Sequence, residues 1–236
     1  MTDLVVIVPS RGRPASVDRL VRACALTCRA DTRLHFAFDL DDPHLEANIK
    51  AAGGHAYMLG KRDTLTGWTN KIAARVVRAP AGGARYGPVA AMASFGDDHL
   101  PVTVGWDEQL LAALPEHGGY SYPNDERRDD VPEACVISTP IVAELGWFCY
   151  PGVTHWYNDN IWRDIGAGAG CLTYCPHVIV RHLHPNVTGQ PGDQTYADAA
   201  ESFNADLGAY QRWKLRESAH HINIVRGVRA AAAASV

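Results

Sequence analysis

Residues 94–99 read Ser94-Phe95-Gly96-Asp97-Asp98-His99, so carboxylate, carboxylate and imidazole follow one another directly after a run of small and apolar residues. Adjacent carboxylates repel each other, and a bound cation is one reason to place them together. Mixed oxygen and nitrogen donors suit Mn2+ or Mg2+, and the imidazole favours Mn2+. The alternative for the same residues is a polar turn that caps the next segment. A second group, His182-x-His184, follows another apolar run. In an extended chain positions two apart point the same way, so both imidazoles would share a face. Asp97 and His99 are therefore expected as metal ligands, completed by His182 or His184, with a packed histidine pair as the alternative.

Three further stretches offer chemistry. Trp156-Tyr157-Asn158-Asp159-Asn160 holds one carboxylate among amides and aromatics. Asp159 could take a proton from an acceptor hydroxyl, and Trp156 could form a floor for a sugar ring. Helix capping by Asn158 or Asp159 is the competing use. Pro9-Ser10-Arg11-Gly12-Arg13-Pro14 and Asp39-Leu40-Asp41-Asp42 each follow an apolar run. Arginine reaches phosphate, and a carboxylate such as Asp39 can accept the imide N–H of uracil or the amine edge of guanine. Neither stretch is a G-x-G-x-x-G loop or a Walker loop, which argues against dinucleotide and P-loop readings.

The elements that must hold these residues are strands followed by loops and helices. Leu4–Val8 is a continuous apolar run, as in a parallel strand buried on both faces. Ser16 is placed to cap a helix over about 17–28, and Leu34–Phe38 reads as the next strand. Strands are further expected at 56–59, 89–95, 120–122, 134–138 and 171–180. Helices are expected at about 44–52, 66–77, 107–114, 140–145, 157–164 and 195–225, with a loop at 80–87. This alternation implies a mostly parallel central sheet flanked by helices, with ligands at the carboxyl ends of its strands.

Bulk properties narrow the class. The chain has 236 residues, 47% apolar and 20% charged, which fits one sizeable α/β domain rather than a disordered chain. A net charge of −4 gives no global basic field for nucleic acid or an anionic membrane. No apolar run reaches the roughly 20 residues needed to span a bilayer, and the N-terminus lacks a signal-peptide pattern, so a cytoplasmic protein is expected. The six cysteines include two C-x3-C pairs, read as reduced thiols rather than a zinc knuckle. Residues 1–228 are expected as one domain, with 229–236 a flexible alanine-rich tail.

The order of these motifs resembles family-2-like glycosyltransferases of the GT-A fold, and especially short forms from actinobacterial viruses and their hosts. The residues that carry the resemblance are Val5 to Pro14, Asp39 to Pro43, Phe95 to His99, Gly105-Trp106-Asp107, Leu145-Gly146-Trp147, Asn158 to Trp162 and His182 to Pro185. Together they span roughly residues 4–190. The resemblance implies a single-domain GT-A (Rossmann-like) fold and transfer of a sugar from a UDP- or GDP-linked donor. It implies nucleotide and donor contacts at Pro9, Ser10, Arg11, Arg13, Asp39, Asp41, Lys71, Asp97 and Asp98. His99 stands where the family's metal-binding loop usually ends in aspartate.

Asp159 matches the family's catalytic base and would support an inverting displacement, although Asn158 replaces the usual glutamate. Trp156 to Asn160 also resembles the Trp-x-x-Glu-Asn segment of some retaining enzymes. Asp125, Trp156 and Asn158 are candidates for the acceptor side, and Asp125 is the alternative base. A viral setting implies host cytoplasm, with modified DNA or a virion protein as acceptor. Arg127 and Arg128 lie among acids and make no clean basic patch. The competing readings are a sugar-phosphate nucleotidyltransferase and a non-catalytic nucleotide-sugar-binding module. The first expects a longer glycine-rich loop after strand one, and the second has no need of a metal constellation.

Overall fold

The structure, a computed structural model, describes residues 2–78, 88–185, 189 and 192–235. The loop expected at 80–87 lies outside the described residues. Eight strands form one sheet: β1 (Thr2–Pro9), β2 (Thr32–Asp39), β3 (Ala56–Gly60), β4 (Val89–Ser94), β5 (His99–Pro101), β6 (Tyr120–Asn124), β7 (Val136–Ser138) and β8 (Leu172–His182). Their order is β3-β2-β1-β4-β7-β6-β8-β5. The pairs β1–β2, β1–β4, β2–β3 and β6–β8 are parallel, while β7 and β5 run against their neighbours. The expected mostly parallel sheet is what forms.

β1 explains the two-sided burial. Val5 and Ile7 point into one apolar layer and Leu4, Val6 and Val8 into the other, all fully buried. Period-two alternation thus feeds two cores from one strand. The second layer is closed by α1 (Pro14–Thr27), α2 (Leu45–Ala51) and α4 (Trp106–Ala112). The first is closed by α3 (Leu65–Arg78), α5 (Thr139–Leu145), α6 (Asn158–Gly168), α7 (Gln194–Arg216) and α8 (Ser218–Ala233). Trp106 is fully buried and packs on Phe95 at 5.1 Å, directly behind the 96–99 turn. Truncating it to alanine would cost roughly 3–5 kcal/mol and loosen that turn from behind.

Several boundaries differ from expectation for local reasons. α1 begins at Pro14 rather than after Ser16, because proline's fixed φ suits the first helical position. Ser16 does not cap; its Oγ accepts Arg19. The long C-terminal helix is two helices that break at Glu217. The alanine-rich segment expected to fray from 229 is helical through Ala233, and Arg229 donates to the carbonyls of Ala169, Gly170 and Glu116. All six cysteines are free thiols. Among the described residues no helix is long and apolar enough to cross a membrane.

Candidate active site

The site gathers where β4 ends against β5 and β8. Gly96 leaves room for the side chains that fold back over the turn. A Cβ there would lie 2.3 Å from Asp98 Oδ1 and 3.2 Å from His99 Nδ1, so only glycine lets both side chains fold back over it. β5 then runs antiparallel to β8 with His99 opposite His182. The backbone locks this register: Leu183 N–H donates to the Asp98 carbonyl at 2.9 Å, and His182 N–H to the Asp125 carbonyl at 3.1 Å. Residues more than 80 positions apart are thereby fixed side by side.

Asp97 faces the end of β1. Ser10 Oγ donates to it at 2.5 Å and Arg13 at 3.0 Å. Burial pushes the Asp97 carboxyl upward against the pull of Arg13, and the neighbouring Asp98 charge adds to the rise. Arg11 bridges Asp39 at 3.1 Å and Asp41 at 2.7 Å. Asp42 accepts the N–H of Gly12, a residue with φ of +71°. Asp39 also accepts Trp68 Nε1 at 2.7 Å and Asp63 N–H at 3.2 Å, so it organises the β2 and β3 ends as well as facing Arg11. The two guanidinium groups of this edge, each paired with carboxylates here, are the groups that could bind a phosphate.

Asp98 faces the other way. His182 Nε2 lies 3.3 Å from its Oδ2, and the Tyr196 hydroxyl donates to the same oxygen. Burial opposes ionisation of Asp98, but the His182 and Tyr196 hydrogen bonds and the nearby imidazoles hold it well below the usual carboxylate range. On its far side His182 Nδ1 meets Glu133 Oε2 at 2.5 Å. Burial disfavours the His182 imidazolium, yet these two carboxylates overcome it and raise its pKa to about 9. Glu133 is likewise drawn down to about 2, against burial, chiefly by its bond to His182. With Nδ1 donating to Glu133, Arg127 cannot also donate there; its bond is to Glu133 Oε2 at 3.1 Å.

The donor set fits a divalent cation. His99, Glu133 and His182 each place one ligand atom within 4.8 Å of the others. Within this trio His99 is the weakest donor. Gly96 N–H occupies its Nδ1 at 2.6 Å, so the proton of the neutral ring sits on Nε2, which is buried and has no hydrogen-bond partner. Burial, aided by His182, depresses the His99 pKa to about 4 and keeps the ring neutral. Asp98 Oδ2, 3.3 Å from His182 Nε2, adds an oxygen donor beside this trio. If His182 holds a cation through Nε2, Glu133 is placed to orient the ring through Nδ1. His184 packs edge-on against both His182 and Tyr196, at 5.4 and 5.1 Å.

The remaining sequence candidates scatter around this centre. Asp159 occupies the first turn of α6 after Tyr157, which is held at φ +70°. Its surroundings push its pKa up to about 6, first by burial and in part by the charge of Glu133, although the Asn160 N–H bond opposes this. Asp125 is buried, accepts Arg127 and Arg128 N–H through Oδ1 and leaves Oδ2 without a partner. Burial, with help from Glu133, raises its pKa too. Trp156 donates Nε1 to the Ala199 carbonyl and meets Phe203 edge-to-face. Asn158 is buried and its amide bonds Tyr150 N–H and Thr66 Oγ1, so its contacts are to the scaffold. Lys71 pairs with Asp63 at 2.6 Å and lies over Trp68, near Asp39 rather than among the acids of the turn. Pro9 ends β1 beside them.

Sequence reasoning missed Glu133, Asp193 and Tyr196. Asp193 had a legible signal: it caps α7 by accepting Thr195 and Tyr196 N–H. Glu133 carried none, since only the tertiary fold brings it to His182.

No protein-family model and no curated protein matches the chain. Solved structures do. A mannosyltransferase from Pyrobaculum calidifontis, solved with GDP-Man and Mn2+, superposes with a TM-score of 0.58 at 13% identity, covering 99% of this chain and 75% of that one. Glucosyl-3-phosphoglycerate synthase from Mycobacterium tuberculosis, with Mn2+, UDP and phosphoglyceric acid, gives 0.55 at 9%, covering 88% and 78%. S. aureus TarS 1–349 with UDP gives 0.54 at 9%, covering 75% and 59%. The fold is that of the GT-A glycosyltransferases. At these identities the likeness is one of fold.

Proposed function

We propose that this chain is a metal-dependent glycosyltransferase that moves a sugar from a nucleoside-diphosphate donor to an acceptor hydroxyl. One observation carries the reading: consecutive residues of one turn face an anion-binding edge and a cation-binding edge. Asp97 meets Arg13 and Ser10, and Asp98 meets His182. A diphosphate bridged to a divalent cation is the ligand that needs both at that spacing. The solved GT-A proteins with GDP-Man or UDP alongside Mn2+ support it.

Asp98 and His182 would hold the cation, with Glu133 orienting His182, and with His99 and His184 beside them. When bound, Mn2+ or Mg2+ supplies charge stabilisation for the leaving diphosphate. Arg13 and Arg11 bind and orient the phosphates from the β1 side. Ser10, Asp39 and Asp41 border the nucleoside, with UDP and GDP as the donor nucleotides. Asp159 accepts the acceptor proton. Its upward-shifted carboxyl remains largely ionised at neutral pH, as a base must, and favours an inverting displacement.

Trp156 and Asp125 border the acceptor side. Arg127 pairs with Glu133, Arg128 with Asp130 and Arg181 with Glu126, so this rim offers no uncompensated basic surface for duplex DNA. Of the two acceptors suggested by the viral resemblance, a virion protein hydroxyl therefore ranks ahead of modified DNA. Residues 1–228 act as one catalytic unit in this reading. The test is donor hydrolysis with a panel of UDP- and GDP-sugars and Mn2+. Release of free sugar that stops in excess chelator is expected; cleavage of a nucleoside triphosphate with sugar phosphate instead would favour nucleotidyl transfer.

A further inference from the structure

The first turn of α7 lies across the groups just assigned to the donor. Arg13 turns its Nε and one terminal nitrogen onto Asp193, both at 2.6 Å, while its other terminal nitrogen binds Asp97. The Nε-sided fork is the edge that receives a phosphate bidentately. Here a carboxylate of the same chain occupies it. Three residues on, the Tyr196 hydroxyl donates to Asp98 Oδ2, the oxygen that faces His182. The Tyr196 ring lies against the Arg13 guanidinium at 4.4 Å and meets His184 at 5.1 Å. Thr195 Oγ1 donates to the Arg11 carbonyl at 3.4 Å, and Asp198 pairs with Arg62 just after β3. Partners 98 to 184 positions apart are tied by this one turn.

We propose that residues 193–198 form an internal strap that occupies the donor site in the ligand-free protein and is displaced when metal and nucleoside diphosphate bind. Asp193 takes the place of a phosphate oxygen on Arg13, and the Tyr196 proton sits on the oxygen a cation needs. Binding must break both contacts, so the strap weakens binding of each ligand by the strength of the contact it breaks. This rests on the donor reading above.

The test uses Asp193→Asn and Tyr196→Phe in the full chain. Asparagine retains the helix cap while losing the charge. Mn2+ alone is titrated by electron paramagnetic resonance, and UDP and GDP with Mn2+ by calorimetry. Tyr196→Phe is expected to tighten Mn2+ by about tenfold, the scale of one hydrogen bond to a charged group. Asp193→Asn is expected to tighten the nucleotide by a similar factor. Amide exchange across 193–200 in the wild-type protein should quicken when both ligands are added. Unchanged or weaker Mn2+ binding in Tyr196→Phe, or slower exchange on adding ligands, overturns the strap, as does failure of both proteins to bind Mn2+. If neither UDP nor GDP binds any of the proteins while Tyr196→Phe still tightens Mn2+, the donor reading falls and the strap over Asp98 stands.

Discussion

Asp97 and Asp98 are sequence neighbours with opposite electrostatic fates. Asp97 turns to the β1–β2 edge, where Arg11 and Arg13 supply positive charge, and burial still drives its carboxyl upward. Asp98 turns to the β6–β8 edge, where His182 and Tyr196 stabilise its ionised form although it too is buried. In the proposed reading one edge receives an anion and the other a cation, and a two-residue turn holds them in contact. The difference shows that paired carboxylates need not share a ligand. Here they take their partners from two halves of the sheet.

The largest break in this picture is expected at Asp159, on the cation side. Asp159→Asn keeps the shape and removes basicity, so turnover with the true acceptor should fall roughly 10²–10⁴-fold while Mn2+ and nucleotide binding persist. In the wild-type enzyme the rate should rise as pH climbs through about 6, where Asp159 ionises, and that limb should vanish in the variant. Next come the two edges themselves. Asp98→Asn should abolish Mn2+ binding and lower turnover by roughly 10²–10³-fold. Arg13→Lys should leave Mn2+ binding in place and weaken the diphosphate about tenfold, because lysine loses the bidentate fork. Calorimetry with each ligand separately distinguishes these outcomes. If Asp98→Asn and Arg13→Lys harm both ligands equally, the division between edges is wrong.

A smaller effect is expected one contact further out. Glu133→Gln should weaken Mn2+ by roughly 10–100-fold, since the ring it orients is freed, without moving the nucleotide affinity measured in the absence of metal. The smallest effect is on stability. The folded-state pKa of Asp159 is raised, so the native protein holds its proton more tightly than the unfolded chain, and stability is lost as pH rises from about 4 through about 6. Asp159→Asn should therefore raise the melting temperature by several degrees above pH 7 and by little below pH 4, as scanning calorimetry would show.

The β1–β4 half was legible because parallel strands buried on both faces are apolar throughout, as Leu4–Val8 and Leu34–Phe38 are. The turn at Gly96–His99 could be read from residue types alone. β5 could not: His99-Leu100-Pro101 is too short for any periodicity, and only its pairing with β8 makes it a strand. That pairing places His182 inside β8 instead of after it, and opposite His99. The opposite facing of Asp97 and Asp98 was equally hidden, because it depends on side-chain partners that follow β1, lie in β8 and lie in α7. Asn158 illustrates the converse. Its place beside Asp159 suggested a site residue, while its buried amide bonds the backbone of Tyr150 and the hydroxyl of Thr66.

The central claim is that one turn joins a cation to a diphosphate, and thermodynamic linkage tests it most directly. Mn2+ affinity is measured by electron paramagnetic resonance with and without saturating UDP or GDP, and the nucleotide affinity with and without Mn2+. The account predicts that each tightens the other by the same factor, at least about tenfold, because reciprocity is obligatory for coupled binding. Mn2+ binding that is indifferent to both nucleoside diphosphates would contradict it.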